Sequence, residues 1–472
     1  VIGHVGSAAA IETHSASLFF FGDRVYKVKK PVDLGFLDFR TEEGRAAACR
    51  REVELNRRLA PDVYLGVAQM TDPDGQVCEH LVVMRRMPPH RRLRACLERG
   101  EDVHVALERI ADELASLHDA SPPPGPMESV ATRDAIRRLW CDGFDSMRPH
   151  VGTLLGATDQ QRIEELVLRF LAGRAPLFEQ RIRDGAVRDG HGDLQAEDIF
   201  LLDDGPRVLD CLEFDDTLRW GDVLGDAAFL AMDLERFGRP ELARLFLDAF
   251  GQRSGIPWPP ALEHHYVAYR AHVRAKVGVI RASQGAGSTA EVDRLQALCR
   301  RHLEAARVRA VLVGGLPGTG KTTLSRRLAE RVDAVVLRSD ELRRRHPEAG
   351  RYAPTTTDEV YADLLAEAEH HLAHGRHVVL DATWSAPEHR RLARTVADRV
   401  AADVVEIECV APAGMTVERI RHRLAAGVDL SEATPEVAEQ MARRFGPWPE
   451  AERVRTDLAP EDSTRSALLA FG

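Results

Sequence analysis

Two groups of residues in this chain have the types and spacing that phosphate chemistry needs. The first is Gly315-Leu-Pro-Gly318-Thr319-Gly320-Lys321-Thr322, followed by Thr323. It fits the pattern G-x-x-x-x-G-K-[ST], in which glycines let backbone N–H groups turn inward around phosphates. Lys321 would reach the outer phosphates and the Thr322 hydroxyl would hold Mg²⁺, with a helix N-terminus adding favourable partial charge. The second is His191-Gly-Asp193-Leu-Gln-Ala-Glu-Asp198, with Asp210 twelve residues on from Asp198. Asp193 would orient or deprotonate an acceptor hydroxyl. Asp198 and Asp210 would each offer a hard oxygen to a Mg²⁺ bridging nucleotide phosphates.

Other residues belong with one group or the other. Asp340 and Asp381 each close an apolar strand pattern, where open α/β sheets place their ligands. Asp340 would accept a substrate proton, with Arg343 one helical turn away, and Asp381 would serve the Mg²⁺ shell or a water. The alternative for both is a carboxylate capping a helix. Arg419 and Arg423 are spaced i, i+4 and face one way. They belong either to a lid that neutralises a transferring phosphoryl group or to a solvated helix face. Upstream, Lys27 and Lys29 share one face of a strand, and Glu52 on the next helix would fix the lysine that meets phosphate. Met84 and Met87 flank a hinge-like stretch where they would pack on an adenine ring. On a later helix, Tyr266, Arg270 and Arg274 share a face. They either pair with the acids between 222 and 235 or line an acceptor site. Cations there suit an anionic or polyhydroxyl acceptor better than a polycation.

The elements that must position these groups differ along the chain. Residues 16–34 read as two strands and a turn, about 40–59 as a helix, Leu81–Met84 as a short strand and 104–118 as an amphipathic helix. Ser121–Pro126 is a proline-rich loop, and helical patterns dominate 131–180 and 222–305. From 307 onward, apolar strands (Val308–Val313, Val335–Leu337, Val378–Leu380, Val404–Val410) alternate with helices, which means a parallel sheet. These patterns predict an α+β domain over 1–305 and an α/β domain over 306–472.

Composition narrows the partners. The net charge is −10, from 64 basic and 74 acidic residues, which disfavours a general nucleic-acid binder. No apolar run is long enough to span a membrane, and the first residues lack the pattern of a secretory signal. Seven scattered cysteines without a C-x-x-C pair fit a reducing cytoplasm rather than a thiolate zinc site. Only five of the basic residues are lysine: Lys27, Lys29, Lys30, Lys276 and Lys321. Three of them fall inside the candidate sites, where a compact ammonium differs from a planar guanidinium.

Lys27/Lys29, Glu52, the Val82–Pro88 stretch, HGDL with Asp198, Asp210, and Asp222 and Asp226 resemble, in that order, the aminoglycoside phosphotransferase and choline kinase-like superfamily. The resemblance covers about 13–280 and implies a two-lobed, protein-kinase-like fold. It leaves Lys27 or Lys29 as the phosphate lysine, with Lys29 preferred for its place before Pro31. The family usually has Asn where this chain has Asp198, which keeps a regulatory pseudokinase open as an alternative. Residues 307–460, through GLPGTGKTT, Arg338–Arg343, LDATW, Arg419/Arg423 and Ser431–Ala433, resemble P-loop kinases of the polynucleotide kinase, gluconate kinase and zeta-toxin type. Together the resemblances imply two sites for ATP (GTP as the alternative) and Mg²⁺, and transfer to hydroxyls of small-molecule, sugar or nucleotide-like acceptors. A polynucleotide 5′-kinase or toxin-like nucleotide-sugar kinase is the further alternative for the C-terminal half. Oligomeric state is not legible.

Overall fold

The computed structural model describes residues 9–12, 15–33, 38–121, 125–285, 287–345, 354–426 and 434–472. Ser431–Ala433 and residues 122–124 of the proline-rich loop lie outside them. The chain forms two compact units. The first comprises 1–160, 179–258 and 266–302, and the second 161–178, 259–265 and 303–472.

The first unit opens with an antiparallel five-stranded sheet. Its order is Ala9–Glu12, Ala16–Phe21, Arg24–Lys29, Val77–Arg85 and Tyr64–Thr71. Alternation in Arg24–Lys29 puts Val25, Lys27 and Lys29 on one face, with Val25 and Lys29 buried. The helix Glu42–Asn56 starts where the Thr41 hydroxyl accepts the Gly44 N–H at 3.1 Å, with Glu42 and Glu43 in its first turn. Its Cys49 and Val53 pack with Val25, Val82 and Met84. The strand Tyr64–Thr71 escapes a periodicity reading because Gly66 sits at a register shift and much of this edge strand is exposed.

Two short antiparallel pairs follow, the hairpin Ile199–Leu202 with Gly205–Val208 and, enclosing it in sequence, Val187–Asp189 with Trp220–Asp222. A helical core surrounds them. The amphipathic helix His104–Asp119 buries Leu107, Ile110, Leu114 and Leu117, and Val223–Arg236 is buried over almost its whole length.

The second unit is a five-stranded parallel sheet. Its order is Ala334–Arg338, His377–Asp381, Arg309–Gly314, Asp403–Val410 and Glu452–Arg455. The central strand Arg309–Gly314 is buried throughout, as the continuous apolar run demands. The last strand, Glu452–Arg455, shows no apolar run in the sequence because it buries only Val454 at the sheet edge. Among the described residues no helix is long and apolar enough to cross a membrane.

One core group has a measurable consequence. His272 lies between Trp140 and Phe144, with ring centroids at 4.8 and 5.0 Å, and among the described residues neither ring nitrogen has a hydrogen-bond partner. Burial pushes its imidazole down to about 3, with Lys276 adding to the effect. An unfolded chain takes up that proton near about 6.5, so stability should fall as pH drops from about 6.5 towards 3. The difference in thermal midpoint between pH 7 and pH 4 should be smaller in His272→Leu than in the wild type. Equal differences would contradict this.

Candidate functional site

In the first unit, strand pairing and the helix Glu42–Asn56 bring two lysines to one carboxylate. Lys27 Nζ lies 2.8 Å from Glu52 Oε1, and Lys29 Nζ lies 2.6 Å from Glu52 Oε2. The Glu52 side chain is fully buried. Lys27 continues to Asp210 Oδ1 at 3.0 Å, whereas Lys29 continues to Glu213. Burial works against the charge on Lys27, but Asp210, Glu52 and Glu213 outweigh it and hold the ammonium well above the usual lysine range. Burial likewise opposes the charge on Glu52, and Lys27 and Lys29 outweigh it. The packing separates the two lysines. Lys29 is 2% exposed and held between two acids, while Lys27 is the lysine that reaches Asp210.

The loop carrying Asp193 is pinned from behind. Asp226, in the first turn of Val223–Arg236, accepts the backbone N–H groups of His191 (2.8 Å) and Gly192 (2.9 Å). It also meets His118 Nε2 at 3.0 Å. Further along, Asp233 accepts the Ala196 N–H at 2.9 Å. Gly192 has φ +86, a left-handed conformation that lets the loop turn. Sequence reading marked Asp226 only as part of a motif. Its part as the brace emerges from the fold, because its partners lie 34, 35 and 108 residues away.

Three carboxylates gather at the front of this loop. Gln195 Nε2 donates to Asp193 Oδ2 at 2.7 Å. Burial pushes the Asp193 carboxyl up to about 6, with Asp210 adding to it and Arg274 and Arg270 opposing. Burial and the neighbours Asp210 and Asp193 raise Asp198 well above the carboxylate range. Lys27 holds Asp210 below it. Asp210 is itself left-handed, at φ +64, with its N–H donated to the Tyr64 hydroxyl at 3.2 Å. A non-glycine residue in that region stores backbone strain, as side chains at working sites often do.

Met84 and Met87 are both 8% exposed and belong to the core that holds Phe200 and Leu209. Tyr266 is a correction. It is 4% exposed, with its ring against Gly225, and presents no surface to an acceptor. Arg270 Nε donates to the Gly225 carbonyl at 2.8 Å, and Arg274 lies one turn further along the same helix.

In the second unit the phosphate loop follows Arg309–Gly314 and opens Lys321–Val332. Gly315, Gly318 and Gly320 have φ +132, +81 and +85. A Cβ at Gly318 would lie 2.5 Å from the Thr416 carbonyl, so glycine is required there by space as well as by φ. The loop is closed by its own side chains, with Thr319 Oγ1 donating to Leu316 O at 2.8 Å and Lys321 Nζ to the same oxygen at 3.0 Å.

The Thr322 hydroxyl donates to Asp381 Oδ2 at 2.6 Å, joining the helix start to the end of the neighbouring strand. Arg338 Nε donates to the same carboxylate at 3.2 Å. Arg338 was given no part of its own in the sequence reading, and only strand adjacency reveals this contact. A cavity of about 440 Å³ joins Lys321, Thr322, Thr323, Asp340, Arg343, Asp381, Arg419 and Arg423. Arg419 Nη2 is anchored on the Thr456 carbonyl at 2.8 Å.

Comparisons with known proteins match two stretches of the chain to different families. Residues 21–264 match the phosphotransferase enzyme family, and residues 311–448 match a family described as AAA domain. An uncharacterized protein of Mycobacterium tuberculosis is 42% identical over 469 residues, covering 97% of this chain and 94% of its own, and an uncharacterized protein of Mycobacterium bovis matches equally. Among solved structures, a choline/ethanolamine kinase family protein from Mesorhizobium loti is similar at TM-score 0.41 and 16% identity. It covers 65% of this chain and 94% of its own. A gluconokinase from Sinorhizobium meliloti is similar at TM-score 0.28 and 18% identity, over 35% of this chain and 90% of its own. The assignment of the two folds rests on the family matches and on the elements themselves.

The brace at Asp226 sets one expectation. Asp226→Ala leaves His118 and two buried N–H groups without their acceptor, which should cost about 3–5 kcal/mol. Urea unfolding followed by tryptophan fluorescence measures it. A loss below about 1 kcal/mol would show that the loop does not depend on the carboxylate.

Proposed function

Since the chain belongs to the phosphotransferase enzyme family and carries a second, phosphate-loop site, we propose that it is an ATP- and Mg²⁺-dependent enzyme with two nucleotide sites. Each moves the γ-phosphoryl group of ATP to a hydroxyl of a small-molecule acceptor. The observation that carries this reading is the bridge Glu52–Lys27–Asp210 beside Asp193. It puts a fixed cation, a candidate metal ligand and a base in one place.

In the first unit Lys27 offsets the charge of the nucleotide phosphates, held by Glu52 in the orientation that meets them. Asp193 takes the proton of the acceptor hydroxyl. The acceptor oxygen then forms a bond to the γ-phosphorus as the bond from that phosphorus to the β–γ bridging oxygen breaks, and ADP leaves. Asp198 and Asp210 fit a Mg²⁺ ion, because two crowded carboxylates raise each other's need for a cation and supply hard oxygens. Bound there, the ion would neutralise phosphate charge. Among the described residues no group of three or more acidic, histidine or cysteine side chains can hold a metal by itself. Magnesium is usually held by one or two carboxylates plus phosphates.

In the second unit the backbone of 318–322 and Lys321 cradle the phosphates. Thr322 and Asp381 fit the metal, their 2.6 Å contact placing two oxygens at one point. Asp340 accepts the proton of the second acceptor, Arg343 orients that acceptor, and Arg419 and Arg423 neutralise the transferring group. The proposed extents of the two catalytic domains are 1–305 and 306–472. A reducing compartment, the cytoplasm, suits the seven cysteines, all free and five of them buried.

Asp198 favours a second reading, in which the first unit binds nucleotide and regulates the second without transferring. Its carboxylate adds a negative charge where the resembled family usually has Asn. Transfer from γ-labelled ATP to a panel of metabolites separates the two readings. Asp193→Ala should lower one set of labelled products by about 100–10,000-fold, and Lys321→Ala should remove a different set. If Asp193→Ala spares every product while Lys321→Ala removes all of them, the first unit is regulatory. If neither variant changes any product, both readings fail.

A further inference from the structure

The first unit holds a cavity of about 960 Å³ that none of the candidate nucleotide, metal or acceptor residues lines. Its walls come from the segment 58–62, the later part of the helix His104–Asp119 and the turn between Ile199–Leu202 and Gly205–Val208. Ligand pockets are typically about 300–1,000 Å³, with apolar walls and a few placed polar groups. Leu59, Pro61, Leu117 and Pro206 supply the apolar wall here.

The charged groups on the walls are two arginines and four carboxyl groups, and five of the six have an ion-pair partner in the fold. Arg58 lies 3.2 Å from Asp189 Oδ2 and donates to the carbonyls of Leu55 and Gly190 at 3.0 Å each. Arg207 meets Asp62 at 2.6 Å and Asp204 at 2.8 Å, and its Nη1 donates to the carbonyls of Gly205 and Pro206. Asp112 lies 3.4 Å from Arg253. Glu113 is the exception. Its Oε2 is buried and, among the described residues, has no hydrogen-bond partner.

Sealing a carboxyl oxygen without a donor is costly, and more so when the group is ionised. Burial pushes the Glu113 carboxyl up to about 7, against Arg207 and Arg109 and with Asp112 adding to it. Both arginines of the wall are already paired, so an incoming anion would find no spare cation and four carboxyl groups. An incoming cation would instead favour the ionised form of Glu113 and offset its burial. Glu113 lies one helical turn before Leu117, so a charged head at the carboxyl leaves the rest of the molecule on the apolar wall. The cavity thus presents one unmet acid at the edge of an apolar surface.

We propose that this cavity is a ligand site separate from the one that carries Asp193, and that it takes an organic amine. The ammonium meets the Glu113 carboxyl while the apolar body packs on Leu59, Leu117 and Pro206. The site stands whether or not the first unit transfers phosphate.

The test is calorimetric titration of the full chain with three molecules that share an indole-ethyl body: tryptamine, its uncharged analogue tryptophol, and the anion indole-3-propionate. Tryptamine should bind, and tryptophol should bind about 10–100-fold more weakly, the scale of a charge-assisted hydrogen bond. Indole-3-propionate should be weaker still. Glu113→Gln should bring tryptamine down to the level of tryptophol, with the thermal midpoint unchanged or raised. At pH 6.5 tryptamine should displace protons from wild-type protein, read as a binding heat that varies with the ionisation enthalpy of the buffer, and this variation should vanish in Glu113→Gln. Ala120 is an exposed residue of the wall, and Ala120→Trp should block tryptamine with Glu113 in place.

A saturating non-hydrolysable ATP analogue with Mg²⁺ should leave the affinity for tryptamine unchanged, which separates this site from the nucleotide site. No binding of tryptamine, equal binding of the three molecules, an affinity unaltered in either variant, or competition with the nucleotide analogue would overturn the proposal.

Discussion

Glu52 is a carboxylate with no exposed surface and two ammonium partners, one on each oxygen. A buried charge is tolerable only when it is paired, and breaking one partner away is far more costly than never having buried the pair. The rest of the first site follows from that constraint. Lys29 cannot leave, because Glu52 and Glu213 hold it from both sides. With Lys29 committed, the second oxygen of Glu52 fixes Lys27, and Lys27 in turn is the cation that lets Asp210 stay ionised beside Asp193 and Asp198. The geometry is set before any ligand arrives, as electrostatic stabilisation requires.

The second unit reaches the same end by a different route. Its anion site is mostly backbone, made possible by glycines at φ values that other residues rarely adopt. Charge is supplied sparingly there, by one lysine and by arginines on other elements. The contact from Thr322 to Asp381, with Arg338 behind it, ties the loop to the neighbouring strand. It gives the parallel sheet a direct part in holding the site.

What could be read from the sequence divides by the range of the interaction. The phosphate loop was legible because its requirement is local: eight consecutive residues, a strand before and a helix after. The parallel sheet was legible because its buried strands are continuous apolar runs. The His191–Asp198 loop was legible as a motif, but its support was not. Asp226 acts on a segment 34 residues away, and nothing in its own neighbourhood announces that. The choice between Lys27 and Lys29 was equally out of reach, since both lie on one face and only tertiary packing shows which one is sealed. Tyr266 and Arg274 illustrate the same limit. Helical spacing placed them on one face, and the fold then buried the first against Gly225 and left the second half-buried. The strands Tyr64–Thr71 and Glu452–Arg455 were missed because edge strands bury too little to impose a pattern.

The account depends on each unit gripping a nucleotide of its own. Calorimetric titration of the full chain with a non-hydrolysable ATP analogue and Mg²⁺ tests this most directly. Two molecules should bind per chain, falling to one in Lys321→Ala and to one in Lys27→Met. A single molecule bound by the wild type, and lost entirely in Lys321→Ala, would contradict it.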